Sequence, residues 1–107
     1  MIDELTHILA RRTVTTVFQP IFDTEQQQIL GYEALSRGPK DSHLHAPTAL
    51  FSCADAVNKL SELELLCRES AIASFAKLQL QGKLFLNVSP NTLLDPLHPR
   101  GHTLSLL

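Results

Sequence analysis

At the front of the chain, apolar side chains recur at helical spacing at Ile2, Leu5, Ile8 and Leu9, with Asp3 and Glu4 early and Arg11 and Arg12 late. That charge order complements the helix dipole, so the pattern predicts a short amphipathic helix over about 2–12. It serves either to cover an open end of a sheet, the preferred reading, or to continue a linker from an upstream domain. The period then changes. From Thr13 to Phe22 the residues are β-branched and aromatic, with Val17, Gln19 and Ile21 on one face and Phe18, Pro20 and Phe22 on the other. Pro20 has no amide to donate, which sends this strand to an edge or a bulge. The polar stretch Asp23-Thr24-Glu25-Gln26-Gln27-Gln28 is too short for a crossover, so the strands on either side pair antiparallel as a hairpin. Gln19 and Glu33 are then candidates to share a side.

The second strand is the centre of the pattern. Within Ile29-Leu30-Gly31-Tyr32-Glu33-Ala34-Leu35-Ser36-Arg37-Gly38-Pro39, alternation places Glu33, Leu35 and Arg37 on one face and Tyr32, Ala34 and Ser36 on the other. A carboxylate there suits a hard cation, and a guanidinium suits a phosphate. A plain salt bridge at the strand end is the competing reading.

Residues 38–47 carry Gly38, Pro39, Asp41, Ser42 and Pro47 and read as a loop. His43 and His45 flank Leu44 there, but a zinc site wants three or four ligands, so solvated loop histidines are expected. Pro47 opens a helix marked by Leu50, Phe51, Ala54 and Val57 to about Lys59. Ser61-Glu62-Leu63-Glu64 has a capping-box pattern, opening a second helix through Leu63, Leu66, Cys67, Ala71, Phe75 and Leu78 until Gly82 stops it. Glu62, Glu64, Arg68 and Glu69 read as its solvated face. In the strand from Lys83 to Pro90, Leu84, Leu86 and Val88 face the helices, and Phe85, Asn87 and Ser89 face the opposite way. Asparagine is depleted in strands, so Asn87 is either a backbone clamp or a carbonyl oxygen offered to a cation. Ser89 and Pro90 start a further helix through Leu93 and Leu94, which the stretch from Asp95 interrupts. Residues 103–107 begin a new apolar pattern.

A length of 107 residues suits one small domain. With 44% hydrophobic and 19% charged residues the chain is globular, and a net charge of -2 provides no cationic field for a nucleic-acid polymer. Cys53 and Cys67 fall in the helical segments and read as small buried hydrophobes of a reduced protein. With no long apolar run and an acidic start, the chain reads as cytoplasmic, in a parent that can be attached to a membrane elsewhere.

Phe18-Gln19-Pro20-Ile21, Tyr32-Glu33-Ala34-Leu35-Ser36-Arg37 and Leu86-Asn87-Val88-Ser89 stand in an order and spacing that closely resembles the start of the EAL family of cyclic di-GMP phosphodiesterases. The resemblance implies the first portion of a modified TIM-like β/α barrel, an α/β fold that begins with an antiparallel hairpin and is incomplete in this chain. Residues 1–13 would be an N-terminal helix and 14–107 the N-terminal part of the EAL domain. It further implies that Glu33 and Asn87 are ligands of Mg²⁺ or Mn²⁺, that Gln19 and Arg37 contact cyclic di-GMP, and that Leu35 lines its pocket. The family's reaction is hydrolysis of one phosphodiester bond to linear pGpG. GGDEF or sensory domains are the partners implied in the parent.

The length departs from the family, whose domain is more than twice as long and takes further acidic ligands and a lysine from later strands. Asp95 is no substitute for them. The fragment alone is therefore expected to be inactive, and three strands that cannot close leave edges that invite self-association. The alternative function is a non-catalytic module that binds cyclic di-GMP or contacts other proteins.

Overall fold

The computed structural model describes residues 2–87 and 103–105. Val88, the helix expected from Ser89 and Pro90, and Asp95 lie outside the described residues. The elements run α1 (Ile2–Arg11), β1 (Thr15–Asp23), β2 (Gln28–Arg37), α2 (Pro47–Ala56), α3 (Leu60–Leu78), β3 (Lys83–Asn87) and β4 (Thr103–Ser105). They build a mixed sheet in the order β1-β2-β3-β4.

The hairpin forms as its short connector requires. β1 and β2 pair antiparallel, with Gln19 directly across from Glu33 and a bulge between Ile21 and Phe22. Asp23 closes the turn by accepting the backbone N–H groups of Glu25 at 2.9 Å and Gln26 at 3.2 Å through Oδ1. Pro20 sits in β1, at the edge of the described sheet, where a residue without an amide donor is tolerated. α2 and α3 provide the crossover that lets β3 pair parallel with β2, through Gly31 with Lys83, Tyr32 with Leu84 and Glu33 with Phe85. Residues 103–105, read from sequence only as the start of an apolar pattern, pair antiparallel with β3 from Phe85 to Asn87. The sheet thus has a fourth strand beyond the three expected.

Alternation is obeyed along the strands. Ala34, Leu84 and Leu86 are buried against Ala71 and Phe75 of α3, with Phe18 and Tyr32 packed around them. Phe75 receives Phe18 and Tyr32 in edge-to-face contacts, ring centres 5.9 and 6.3 Å away. A second core lies between the helices, where Leu5 and Ile8 of α1 meet Leu44, Leu50, Ala54, Leu63 and Leu66. α1 accordingly packs on α2 and α3 rather than across an open end of the sheet. Leu63 is fully enclosed at the centre of this cluster. Leu63→Ala is expected to lower the unfolding free energy by about 2–5 kcal/mol, measured by urea denaturation.

The helix ends depart from the sequence reading in a consistent way. α2 stops at Ala56, three residues before Lys59, and α3 begins at Leu60, so Ser61 is inside the helix and caps nothing. Lys59 occupies the N-cap, with no side-chain capping bond, and its ammonium sits 3.2 Å from Glu62. α3 ends at Leu78, well before Gly82, because Gln79 takes the left-handed conformation at φ 55°. The N–H groups of Gln79 and Leu80 then return to Ala76 and Phe75, a Schellman closure stapled by Leu80 against the Phe75 cluster. Asn58 and Arg12 close α2 and α1 similarly, with Lys59 N–H on the Ala54 carbonyl and Thr13 N–H on that of Ile8. Gly82, at φ 95°, instead serves the approach of β3 to β2.

Candidate functional site

The face of the sheet turned away from α3 carries Val17 and Gln19 from β1, Glu33, Leu35 and Arg37 from β2, and Phe85 and Asn87 from β3. Register and the two-residue strand period put them there together, on the side opposite the Phe75 cluster of α3, and α2 and α3 reach only its Leu35, Arg37 and Asn87 end, through the cavity they line. Val17 remains 50% exposed on this face. Its apolar and polar groups are thus available to something other than the core.

Two of these side chains meet. Asn87 Nδ2 donates to Glu33 Oε2 at 2.6 Å across the β2–β3 pair. Parallel pairing sets Glu33 beside Phe85, and Asn87 lies one side-chain repeat further along β3, so the two polar tips converge over the ladder. Glu33 therefore has an amide donor where the salt-bridge reading would give it a guanidinium. Gln19 stands opposite Glu33 on the other neighbour, exposed, and supplies a second amide to the same region. Glu33 and Asn87 offer a carboxylate and an amide, oxygen-bearing groups whose chemistry fits a hard divalent cation.

Arg37 ends β2, half-buried, its Nη1 donating to the Ser36 carbonyl at 3.0 Å. It borders a cavity of about 160 Å³ whose walls include Leu35, Phe51, Glu64, Arg68 and Asn87. All five residues picked from sequence thus fall on one face of the sheet, with Leu35, Arg37 and Asn87 also bordering the cavity beside it. Glu64 and Arg68, expected on a solvated face, are half-buried in the cavity wall. Their i, i+4 spacing flanks Cys67 and Ala71, the buried stripe of α3, and that adjacency was the signal in the sequence. Cys67 is held inert: burial pushes its thiol up and Glu64 adds to this, against an opposing hydrogen bond with Ser36. Cys53 is half-buried. His45 is not a solvated loop side chain, because its Nδ1 lies 3.0 Å from the Gly38 carbonyl oxygen, whereas His43 is exposed.

A family model for the EAL domain matches residues 2–100. The chain belongs to the EAL family. Among solved structures, the EAL domain of FimX from Xanthomonas citri, crystallised in complex with c-diGMP, superimposes with a TM-score of 0.72 at 20% sequence identity. The alignment covers 89% of this chain and 38% of that one, so the EAL domain here is the front portion of a TIM-like barrel. No curated protein matches the chain by sequence. No described helix of this EAL domain is long and apolar enough to cross a membrane.

Proposed function

We propose that this chain is the front portion of a cyclic di-GMP phosphodiesterase domain, with Glu33 and Asn87 as ligands of Mg²⁺ or Mn²⁺. The observation that carries this reading is the 2.6 Å contact between Asn87 and Glu33 on the uncovered face of the sheet. A bound divalent cation would supply positive charge to a phosphodiester and acidify a water. The chain's own residues do the rest of what this portion contributes. The Glu33 carboxylate orients Asn87 through their shared hydrogen bond, so both side chains are pre-positioned. Arg37, at the end of β2, presents a planar guanidinium suited to two phosphate oxygens. Gln19 offers an amide to the dinucleotide from the neighbouring strand, and Leu35 provides an apolar wall that excludes water between Arg37 and Glu33. The reaction in the intact domain is hydrolysis of one phosphodiester bond of cyclic di-GMP to linear pGpG.

Two ligands alone enforce no coordination geometry, since cations of this kind require several oxygens. The 107-residue chain by itself is therefore expected to turn over no cyclic di-GMP and to show no tight binding in calorimetric titration. A protein in which this chain continues through a complete barrel is expected to hydrolyse it with Mn²⁺ and to stop when the cation is chelated. A complete protein that binds cyclic di-GMP without cleaving it would replace the catalytic reading with the binding module.

For the isolated chain we also propose self-association. Among the described residues β1 has a strand neighbour on one side only, and an unpaired edge of nine residues is a template for another chain. A well-folded monomer in light scattering, with the β1 amides protected from exchange, would overturn this. The two free cysteines support a cytoplasmic setting.

A further inference from the structure

We propose that Glu4 and Ser42 are positioning residues for Arg37: they latch α1 onto the 38–46 loop and thereby fix the end of β2 that carries the guanidinium. The Ser42 hydroxyl donates to Glu4 Oε2, joining segments 38 residues apart, and accepts the Leu44 N–H at 2.9 Å. Ser42 is thus the hinge pin of the loop, bonded outward to α1 and inward to its own backbone. The loop is clasped where it leaves the strand. Gly38, the residue after Arg37, donates its N–H to the His45 carbonyl at 2.9 Å, and His45 Nδ1 returns to the Gly38 carbonyl oxygen at 3.0 Å. Beneath the clasp, Leu44 has no exposed surface and sits in one cluster with Leu5 and Ile8 of α1.

The two kinds of contact divide the task. Burial of Leu44 against α1 supplies most of the attraction, while the hydroxyl–carboxylate bond, being directional and charge-assisted, selects one register. The same bond holds the Glu4 carboxyl below its usual value, more than the partial burial that opposes it and with help from His43. Lifting α1 withdraws both the acceptor for Ser42 and the wall around Leu44. The clasp at Gly38 then opens and Arg37 loses its fixed base. Coupling of this kind is reciprocal, so loosening the loop must also loosen α1.

The role of Arg37 on a phosphodiester rests on the proposed function; the latch itself does not. Amide hydrogen exchange on the 107-residue chain tests the latch without ligand, using Ser42→Ala, Ser42→Thr, Glu4→Ala and the Glu4→Ala/Ser42→Ala pair. Ser42→Ala and Glu4→Ala are each expected to speed exchange at Gly38 and Leu44 and in α1 by about fivefold, the double variant by no more, with Ser42→Thr near the parent. The β1–β2 amides are the internal reference. Equal acceleration there, additive effects in the double variant, or an unchanged Gly38 in Glu4→Ala would each overturn the proposal. In a complete barrel that cleaves cyclic di-GMP, Ser42→Ala is expected to raise KM with kcat retained. If Arg37→Ala leaves KM unchanged there, the assignment of Arg37 falls while the exchange result stands on its own.

Discussion

Replacing Glu33 by Ala is expected to lower Mn²⁺-dependent cyclic di-GMP turnover by more than about 100-fold in a protein that carries this chain within a complete EAL barrel. Groups that merely orient a metal ligand already cost 10- to 100-fold when removed, and Glu33 is proposed as a ligand that also orients Asn87. Truncation to Ala deletes the carboxylate and leaves the Asn87 amide without its acceptor. Folding should be affected little, because Glu33 is half-buried on the uncovered face and contributes to neither hydrophobic cluster. The measurement is kcat and KM against Mn²⁺ concentration, with the thermal midpoint as the folding control. Glu33→Gln separates charge from shape: an amide oxygen can still accept from Asn87, so the hydrogen bond survives while cation affinity drops. Turnover unaffected in Glu33→Ala would remove the carboxylate from the chemistry.

Gly31→Ala should damage stability more than any single substitution on the uncovered face. A Cβ at Gly31 would lie 2.2 Å from the Lys83 carbonyl oxygen and 2.9 Å from the Lys83 nitrogen. Both are backbone atoms, so no rotamer change relieves the overlap, and β2 and β3 must move apart. Their pairing rests on Gly31 with Lys83, Tyr32 with Leu84 and Glu33 with Phe85, which makes the clash local to the start of a short ladder. Overpacking at such a place is expected to cost about 3 kcal/mol. For a chain of this size that is a fall of roughly 15 °C in the thermal midpoint. The same displacement would separate Glu33 from Asn87, so cation affinity should fall together with stability, whereas Glu33→Ala lowers affinity alone. A thermal midpoint within a few degrees of the parent would show that the strands can spread without loss.

Much of the architecture was readable from local chemistry. Pro20, the six-residue polar connector and the alternation around Glu33 point to an edge strand and an antiparallel hairpin, because chain length and a missing N–H allow few other arrangements. The choice of Leu84 and Leu86 for the helix-facing side, and the alternation that separates Tyr32 and Ala34 from Glu33, follow from period alone and agree with the packing of all four around Phe75. The helix ends were not readable in the same way. Ser61 has the residues of a capping box and Gly82 is a good stop, yet both are bypassed. Closure on Asn58 and Gln79 lets Leu80 reach Phe75 and brings α3 over the sheet in the required frame. Hydrophobic packing there outweighed local preference.

The Glu64 and Arg68 positions show the same limit from the functional side. Their charges suggested a solvated face, but α2 and the end of β2 wall them into the cavity next to Arg37. The contact between Glu4 and Ser42 was equally hidden, since nothing in either local pattern refers to a residue 38 positions away.

By itself the sequence determined the strand and helix periods, the hairpin and the motifs that carry the family resemblance, because each depends on neighbours within a few positions. Only the tertiary structure decided that Asn87 reaches Glu33, that α1 docks on the helices and the 38–46 loop, and where the helices stop. Those outcomes depend on which distant surfaces bury one another, and a side chain's reach across a sheet exists only once two strands have chosen their register.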